Sequence, residues 1–176
     1  SFSGIFTPES AESCALSSMG AIGALRSMSK AHRLDVIPCH VSQVGPMIEA
    51  GIIGCDVAFV QVGPADGEGN HSFGLVSDYV QAAVARARVV VAEVNDQVPF
   101  TFGEMLPESR IDYAVHVSRP PVQVPPGRIG ETDEAIARHA AEYIGDGAVL
   151  QMGVGAVPDA VLRLLSDRRD LGVHSG

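Results

Sequence analysis

The sequence predicts an α/β fold: an open, largely parallel sheet with flanking helices. Three observations predict it. Apolar, β-branched runs alternate with stretches of helical spacing, the pattern of βαβ units. The composition is 46% apolar and 19% charged, with 19 Gly, 5% aromatic residues and no Trp; small and Val-rich segments suit strands covered by helices. One cluster, "SRPPVQVPPGRIG", puts four prolines between Pro120 and Pro126 and interrupts the alternation, because such proline density is hostile to helix and central strand alike. A chain of 176 residues corresponds to one domain, or one and a fraction.

The elements follow in order. "SAESCALSSMGAIGALRSM", Ser10 to Met28, has helical spacing, with Thr7 or Ser10 as its cap. "LDVIPCHV" reads as a strand and "GPMIEAGII" as a short helix. "CDVAFVQV", Cys55 to Val62, is a buried strand bounded by Gly63 and Pro64. "GPADGEGNHSFG" is a loop that tolerates unusual backbone angles. Ser77 to Arg86 is helical, with Asp78 near its positive end. "RVVVAEVN" and "IDYAVHV" (Ile111 to Val117) are strands. Beyond the prolines come a helix over Glu131–Ile144 with Thr132 as an early cap, a strand over Ala148–Met152, a Gly-X-Gly turn, a helix over Pro158–Leu165, and "LGVHS" as a last strand. Two strands and two helices rarely bury enough apolar surface to stand alone. The second unit is therefore expected to be part of something larger, by further sequence or by a partner chain. An opening on Ser1 rather than Met agrees with a fragment.

Charge and cysteines bound the function. The net charge of −9 argues against nucleic-acid binding, which needs a basic footprint. It leaves room for an anionic small ligand held by helix N-termini. Cys14, Cys39 and Cys55 have no metal spacing, and an odd count without CxxC points to a reducing, cytoplasmic setting. Cys39 and Cys55 fall on predicted strands and read as inert core thiols. No run reaches the length of a membrane span and no signal peptide opens the chain, so no membrane partner is expected. No HxH or HxxxH pair exists, so no metal is expected. Asp66, Glu68 and Asn70 alternate, but the spacing does not continue as a calcium loop. His40, His71 and His174, taken singly, read as structural or surface residues.

The motif of most interest is "QMGVGAVPD". Its glycines allow close backbone approach, and Pro158 suits a first helical turn. No Gly-Lys-Ser/Thr follows, so it is not a P-loop, and the third glycine of a dinucleotide fingerprint is unfilled. On its own it is equally a ligand cradle or a tight corner.

Longer stretches are more specific. "CDVAFVQVGPADGEGNHSFGLVSDYVQAAVARARVVVAEVNDQVPFTFG" and "DGAVLQMGVGAVPDAVLRLLSDRRDLGVHSG" together resemble the acetyl-CoA hydrolase/transferase family, in its 4-hydroxybutyrate CoA-transferase-like branch. The resemblance runs from about Leu34 to the end. It implies two NagB/RpiA-like CoA-transferase domains: residues 1–118 the later part of the first, 119–128 a Pro-rich linker, and 129–176 the incomplete start of the second. It implies transfer of coenzyme A from an acyl-CoA to a small carboxylate, or acyl-CoA hydrolysis, without metal and in a homo-oligomer or with a completing chain segment. In the transfer a glutamate attacks the thioester carbonyl and expels the CoA thiolate to leave an anhydride, and the thiolate then attacks the glutamyl carbonyl, releasing the carboxylate and giving a glutamyl-CoA thioester, while backbone N–H groups hold the oxyanion.

By match of motif, the CoA and oxyanion contacts fall on Gln151, Gly153, Val154, Gly155, Ala156 and Val157, and the carboxylate pocket on His40, Ser42, Asn70 and His71. One position departs. Where similar members carry the nucleophilic glutamate, this sequence reads Gly176. A glycine cannot attack, so three explanations stay open: a subgroup that uses water or another carboxylate, a non-catalytic CoA-binding relative, or a terminal residue that is not the natural one. A sugar-phosphate isomerase or sensor of the same broad fold fits these motifs less well.

Overall fold

The computed structural model describes residues 7, 9–23, 25–123 and 127–174, Ala11 by its backbone alone. The chain divides into two compact units, Ser1–Gln123 and Val124–Gly176.

Unit one opens on a 3-10 turn, Ser10–Glu12, then β1 (Ser17–Ser18), α1 (Leu25–Lys30) and β2 (Asp35–Val36). The single helix expected over Ser10–Met28 does not form. Gly23 takes a φ of +56°, and each glycine inside a helix costs about 1 kcal/mol. Ser17 and Ser18 instead pair in parallel with Asp35 and Val36. Neither Thr7 nor Ser10 is the cap residue of the short turn, which is Glu9; the two side chains bond across it, the Ser10 N–H donating to Thr7 Oγ1 at 3.4 Å and the Thr7 N–H to Ser10 Oγ at 2.9 Å.

The strand expected over 34–41 keeps only the two residues of β2, because Pro38 offers no N–H and His40 already caps α2 (Val41–Glu49). The Gln43 side chain accepts the His40 N–H at 3.1 Å, so α2 starts four residues before the predicted Gly45. It stops where Gly51 adopts φ +74°.

β3 (Val57–Val62), β4 (Asn70–Ser72), α3 (Val80–Arg86), β5 (Val89–Asn95), β6 (Met105–Pro107) and β7 (Tyr113–Val117) complete unit one. β3, β5 and β7 form a parallel sheet with β5 in the centre. Their alternation works as predicted on one face: Ala58, Val60 and Val62, with Val90, Ala92 and Val94, are buried with Val84, Phe73 and Leu106. The predicted 63–74 loop is partly a ribbon, since β4 pairs antiparallel with β6 and sets His71 opposite Leu106. α3 begins three residues after the predicted Ser77, and the Val80 N–H donates to Asp78 Oδ1 at 3.3 Å.

Unit two holds α4 (Glu131–Ala141), β8 (Val149–Leu150), α5 (Ala156–Leu164) and β9 (Gly172–Val173). α4 packs on α5 through Ala137, Ala141, Ala160, Val161 and Leu165, small side chains that let the helices approach closely. The cap of α4 is Gly130, not Thr132: the Gly130 N–H donates to Asp133 Oδ2 at 2.9 Å, which leaves Thr132 inside the first turn. The helix gives way at Ala141 rather than Ile144, where the Tyr143 and Ile144 N–H groups shorten to the carbonyls of Ala140 and Ala141.

Gly74 is the least replaceable glycine of this fold. Its φ is +64°, and a Cβ there would collide with Val98 Cγ1. Gly74→Ala is expected to cost more than about 2 kcal/mol by urea unfolding, against a near-neutral Gly67→Ala, whose Cβ meets nothing within 4 Å. Equal midpoints for the two variants would contradict this.

Candidate functional site

In unit two, β8 ends at Leu150 and the chain turns through residues 151–155 into α5. Gly155 holds φ +150° and ψ 177°, a backbone that strains any side-chain-bearing residue. Gly153 is outside the positive-φ glycines, and a Cβ built on it meets nothing within 4 Å. Val154 between them is 97% exposed. The Asp159 N–H donates to Gly155 O at 3.1 Å and closes the first helical turn. Ala156 and Val157 precede that bond, so helix geometry gives their N–H groups no acceptor inside α5, and Pro158 has none to offer. They are helical residues rather than loop: α5 begins two positions before the predicted Pro158. These donors and the positive helix end make the turn receptive to negative charge.

β8 and β9 run parallel with Leu150 opposite Val173, and the His174 N–H donates to Leu150 O at 2.8 Å. His174 therefore sits at the edge where the glycine turn starts. Gly176 itself lies outside the described residues.

Unit one offers the carboxyl edge of β3, β5 and β7, the edge where open parallel sheets hold ligands. His71 is buried, with Nδ1 at 2.8 Å from Gly63 O. That carbonyl can only accept, so Nδ1 carries the proton and Nε2 is the remaining ring nitrogen. His71 lines a concavity of about 270 Å³ together with Asp96, Glu108 and His116. Asn70 and Glu68 donate their N–H groups to Asp66 Oδ1 at 2.9 Å each, which holds the Asp66 carboxyl below the usual carboxylate range.

Ser72 is a buried hub: its hydroxyl donates to Thr101 O at 3.1 Å and accepts the N–H of Thr101 at 3.0 Å and of Gly74 at 3.1 Å. It ties the glycine-rich loop to the 99–103 loop. Asn95, also buried, donates to Arg119 O at 2.8 Å and accepts the Gln97 N–H at 3.1 Å.

The four residues expected around a carboxylate fall into two pairs. Asn70 and His71 are neighbours on β4. His40 and Ser42 are exposed at the start of α2, and Ser42 lines a groove with Asp78 and Tyr79. Ser42 and His71 line separate concavities.

Sequence reasoning missed the polar group on the sheet's other face. Arg119 Nη2 donates to both Glu93 oxygens at 2.8 Å, and Gln61 Nε2 donates to Glu93 Oε1 at 2.6 Å. Arg119 first, then Gln61, pulls the Glu93 carboxyl below its ordinary range. The available signal was a lone acid inside "VVVAEVN".

Cys39 and Cys55 are half-buried in coil rather than on strands; strand pairing begins only at Val57, and burial, then Asp56, pushes the Cys55 thiol up. Among the described residues no group of three His, Cys, Asp or Glu is placed to hold a metal, and no helix is long and apolar enough to cross a membrane.

Comparison with known proteins places the chain. The profile of the acetyl-CoA hydrolase/transferase N-terminal domain matches residues 12–126. The chain belongs to the acetyl-CoA hydrolase/transferase family. It is 39% identical over 154 residues to a 4-hydroxybutyrate coenzyme A transferase of Clostridium kluyveri, covering 87% of this chain and 36% of that one. It is 34% identical over 155 residues to a succinyl-CoA:acetate/propanoyl-CoA:succinate CoA transferase of Fasciola hepatica, covering 87% and 32%.

Among solved structures, a 4-hydroxybutyrate CoA-transferase of Porphyromonas gingivalis superposes with a TM-score of 0.72 at 37% identity, over 90% of this chain and 41% of that one. RipA of Yersinia pestis gives 0.79 at 29%, over 88% and 38%. This member of the acetyl-CoA hydrolase/transferase family thus spans about a third of the length of the curated relatives it matches.

The Glu93–Arg119 pair makes acid stability testable. A folded-state pKa below the ordinary glutamate value means the link contributes above that value and is lost as pH falls through the folded one. The pair is partly exposed, so Glu93→Gln is expected to cost ~1 kcal/mol or less at pH 7. The gap to the parent should narrow as pH falls below the ordinary glutamate range and close once Glu93 is protonated in the folded state. Urea unfolding across that range measures it, and a gap that stays constant overturns the assignment.

Proposed function

We propose that this chain is part of an acyl-CoA:carboxylate CoA-transferase, or an acyl-CoA hydrolase, of the 4-hydroxybutyrate CoA-transferase type. Residues 1–118 are the later part of its first domain, 119–128 the linker, and 129–176 the start of its second. One observation carries the reading: the β8–β9 register and the His174 N–H bond to Leu150 O set His174 at the edge that bears Gln151–Gly155. The backbone N–H groups of Ala156 and Val157, with the positive end of α5, receive the oxyanion that forms when a carboxylate adds to the thioester carbonyl. Gln151, Gly153, Val154 and Gly155 line the approach of coenzyme A. Asn70 and His71, with His40 and Ser42, serve the acceptor carboxylate. The protein works in the cytoplasm, as a homo-oligomer or with the segment that completes its second unit.

The second reading, a non-catalytic CoA-binding relative, is favoured by one specific fact: position 176 is glycine. Intact mass spectrometry of the full-length gene product after incubation with acetyl-CoA and borohydride separates the two. A carboxylate side chain reduced to the alcohol, with its CoA released as the thiol, supports transfer. Calorimetric CoA binding without any adduct or turnover supports the binder.

The turn has its own test. Gly153→Ala has open space, so thermal stability is expected to hold while CoA affinity falls, because the new methyl enters the approach path. Gly155→Val is expected to lose affinity at least about tenfold and also stability, since its φ of +150° strains the new side chain by about 1–3 kcal/mol. Unchanged CoA affinity in both variants reduces the turn to a corner.

A further inference from the structure

The coenzyme A contacts proposed above lie in unit two and leave a group of polar side chains on unit one without a task. His71, on β4, and His116, on β7, line a concavity of about 270 Å³. Asp96, just after β5, and Glu108, just after β6, line it with them, and Val94 and Val117 form an apolar wall. No Lys or Arg lines it, and neither Asp96 nor Glu108 belongs to an ion pair among the described residues.

The His71 ring decides what this concavity can receive. The residue is only 4% exposed, and its Nδ1–H donates to Gly63 O at 2.8 Å. Nε2 has no partner among the described residues. No fully buried side-chain N or O among them lacks one, so Nε2 is open to solvent, at the concavity that the ring lines. In the neutral ring this nitrogen only accepts. With Asp96 and Glu108 it makes three acceptors around one space. A carboxylate, which also only accepts, is repelled there. A group with a positive charge and several N–H donors satisfies all three, and its bonds to the carboxylates are charge-assisted. A metal ion needs such ligands closer together, and no three among the described residues are placed to hold one.

We propose that this concavity binds a primary ammonium group, and that the carboxylic acid accepting CoA carries that group at the end away from its carboxylate. The first half stands on unit one alone. The second rests on the reading of His71 as part of the acceptor site.

The test uses the full-length gene product at about pH 8, above the ordinary histidine range. Calorimetry with n-butylammonium reads the site without turnover. The amine should bind at least about tenfold more tightly than tetramethylammonium, which has the charge but no N–H. Asp96→Asn combined with Glu108→Gln should weaken it at least about tenfold. Both carboxylates are exposed, so the melting temperature of this double variant should hold. In CoA transfer from acetyl-CoA, kcat/KM for 4-aminobutanoate should exceed that for pentanoate, its methyl-ended isostere, at least about tenfold. The double variant should lose that preference. Butylammonium binding that is absent, matched by tetramethylammonium or indifferent to the double variant overturns the proposal. Transfer to pentanoate at an equal or higher kcat/KM overturns its second half. Amine binding as expected, with no transfer to either acid, supports the ammonium site and counts against the CoA-transfer reading alone.

Discussion

Leu150 and Val173 face one another across two parallel strands, and the His174 N–H closes on the Leu150 carbonyl at 2.8 Å. Parallel pairing obliges the connection between such strands to cross over as a helix, here α5. Both strands then end at one edge, the edge that bears the glycine turn and the head of α5. The same rule orders unit one: β3, β5 and β7 are parallel, so Gly63, Asn95 and Val117 leave the sheet together. Register is what protects this. A slip of one residue would turn Phe59 and Gln61 inward and Val60 and Val62 to solvent.

Magnitudes rank what holds the edge loops. Ser72 and Asn95 are buried, and their polar groups carry several bonds each. Removing one partner of such a buried set costs about 1–3 kcal/mol. The Glu93–Arg119 pair is bidentate but half in water, where an ion pair contributes about 1 kcal/mol at most. Shape at the carboxyl edge therefore rests on neutral hydrogen bonds, and the charged pair mainly orients Arg119 and the chain leaving β7.

How much of this was legible follows from what is local. "RVVVAEVN" becomes β5 almost residue for residue, because a continuous β-branched run has no helical alternative. "VAFVQV" behaves likewise. The β4–β6 ribbon stayed unread because its partners are more than thirty residues apart, and three residues of "NHS" carry no pattern of their own. The helix over 10–28 failed for the opposite reason: its spacing was real, but Gly23 and the Ser17–Ser18 pairing outweighed it. Arg119 was taken as linker from the prolines after it, though its guanidinium reaches back over the sheet to Glu93. In the glycine turn the motif was visible; its register against the end of the chain was not, since that depends on β8 meeting β9.

The corner-or-cradle question turns on the two glycines separately. Gly155 is explained by the backbone alone: at φ +150° any other residue is strained, and a corner would require glycine there as much as a cradle would. Gly153 has no such excuse. Its φ is not positive and a Cβ would meet nothing within 4 Å, so neither strain nor packing within the unit demands glycine. Val154 points the same way. Apolar and 97% exposed, it packs on nothing at the tip, which a turn shaped only for stability would avoid. Glycine at 153 without a fold reason, beside an apolar residue left in water, is accounted for by the proposed coenzyme A cradle and not by a corner. Under that proposal the N–H groups of Ala156 and Val157, which helix geometry leaves without an acceptor in α5, would meet negative atoms of the ligand.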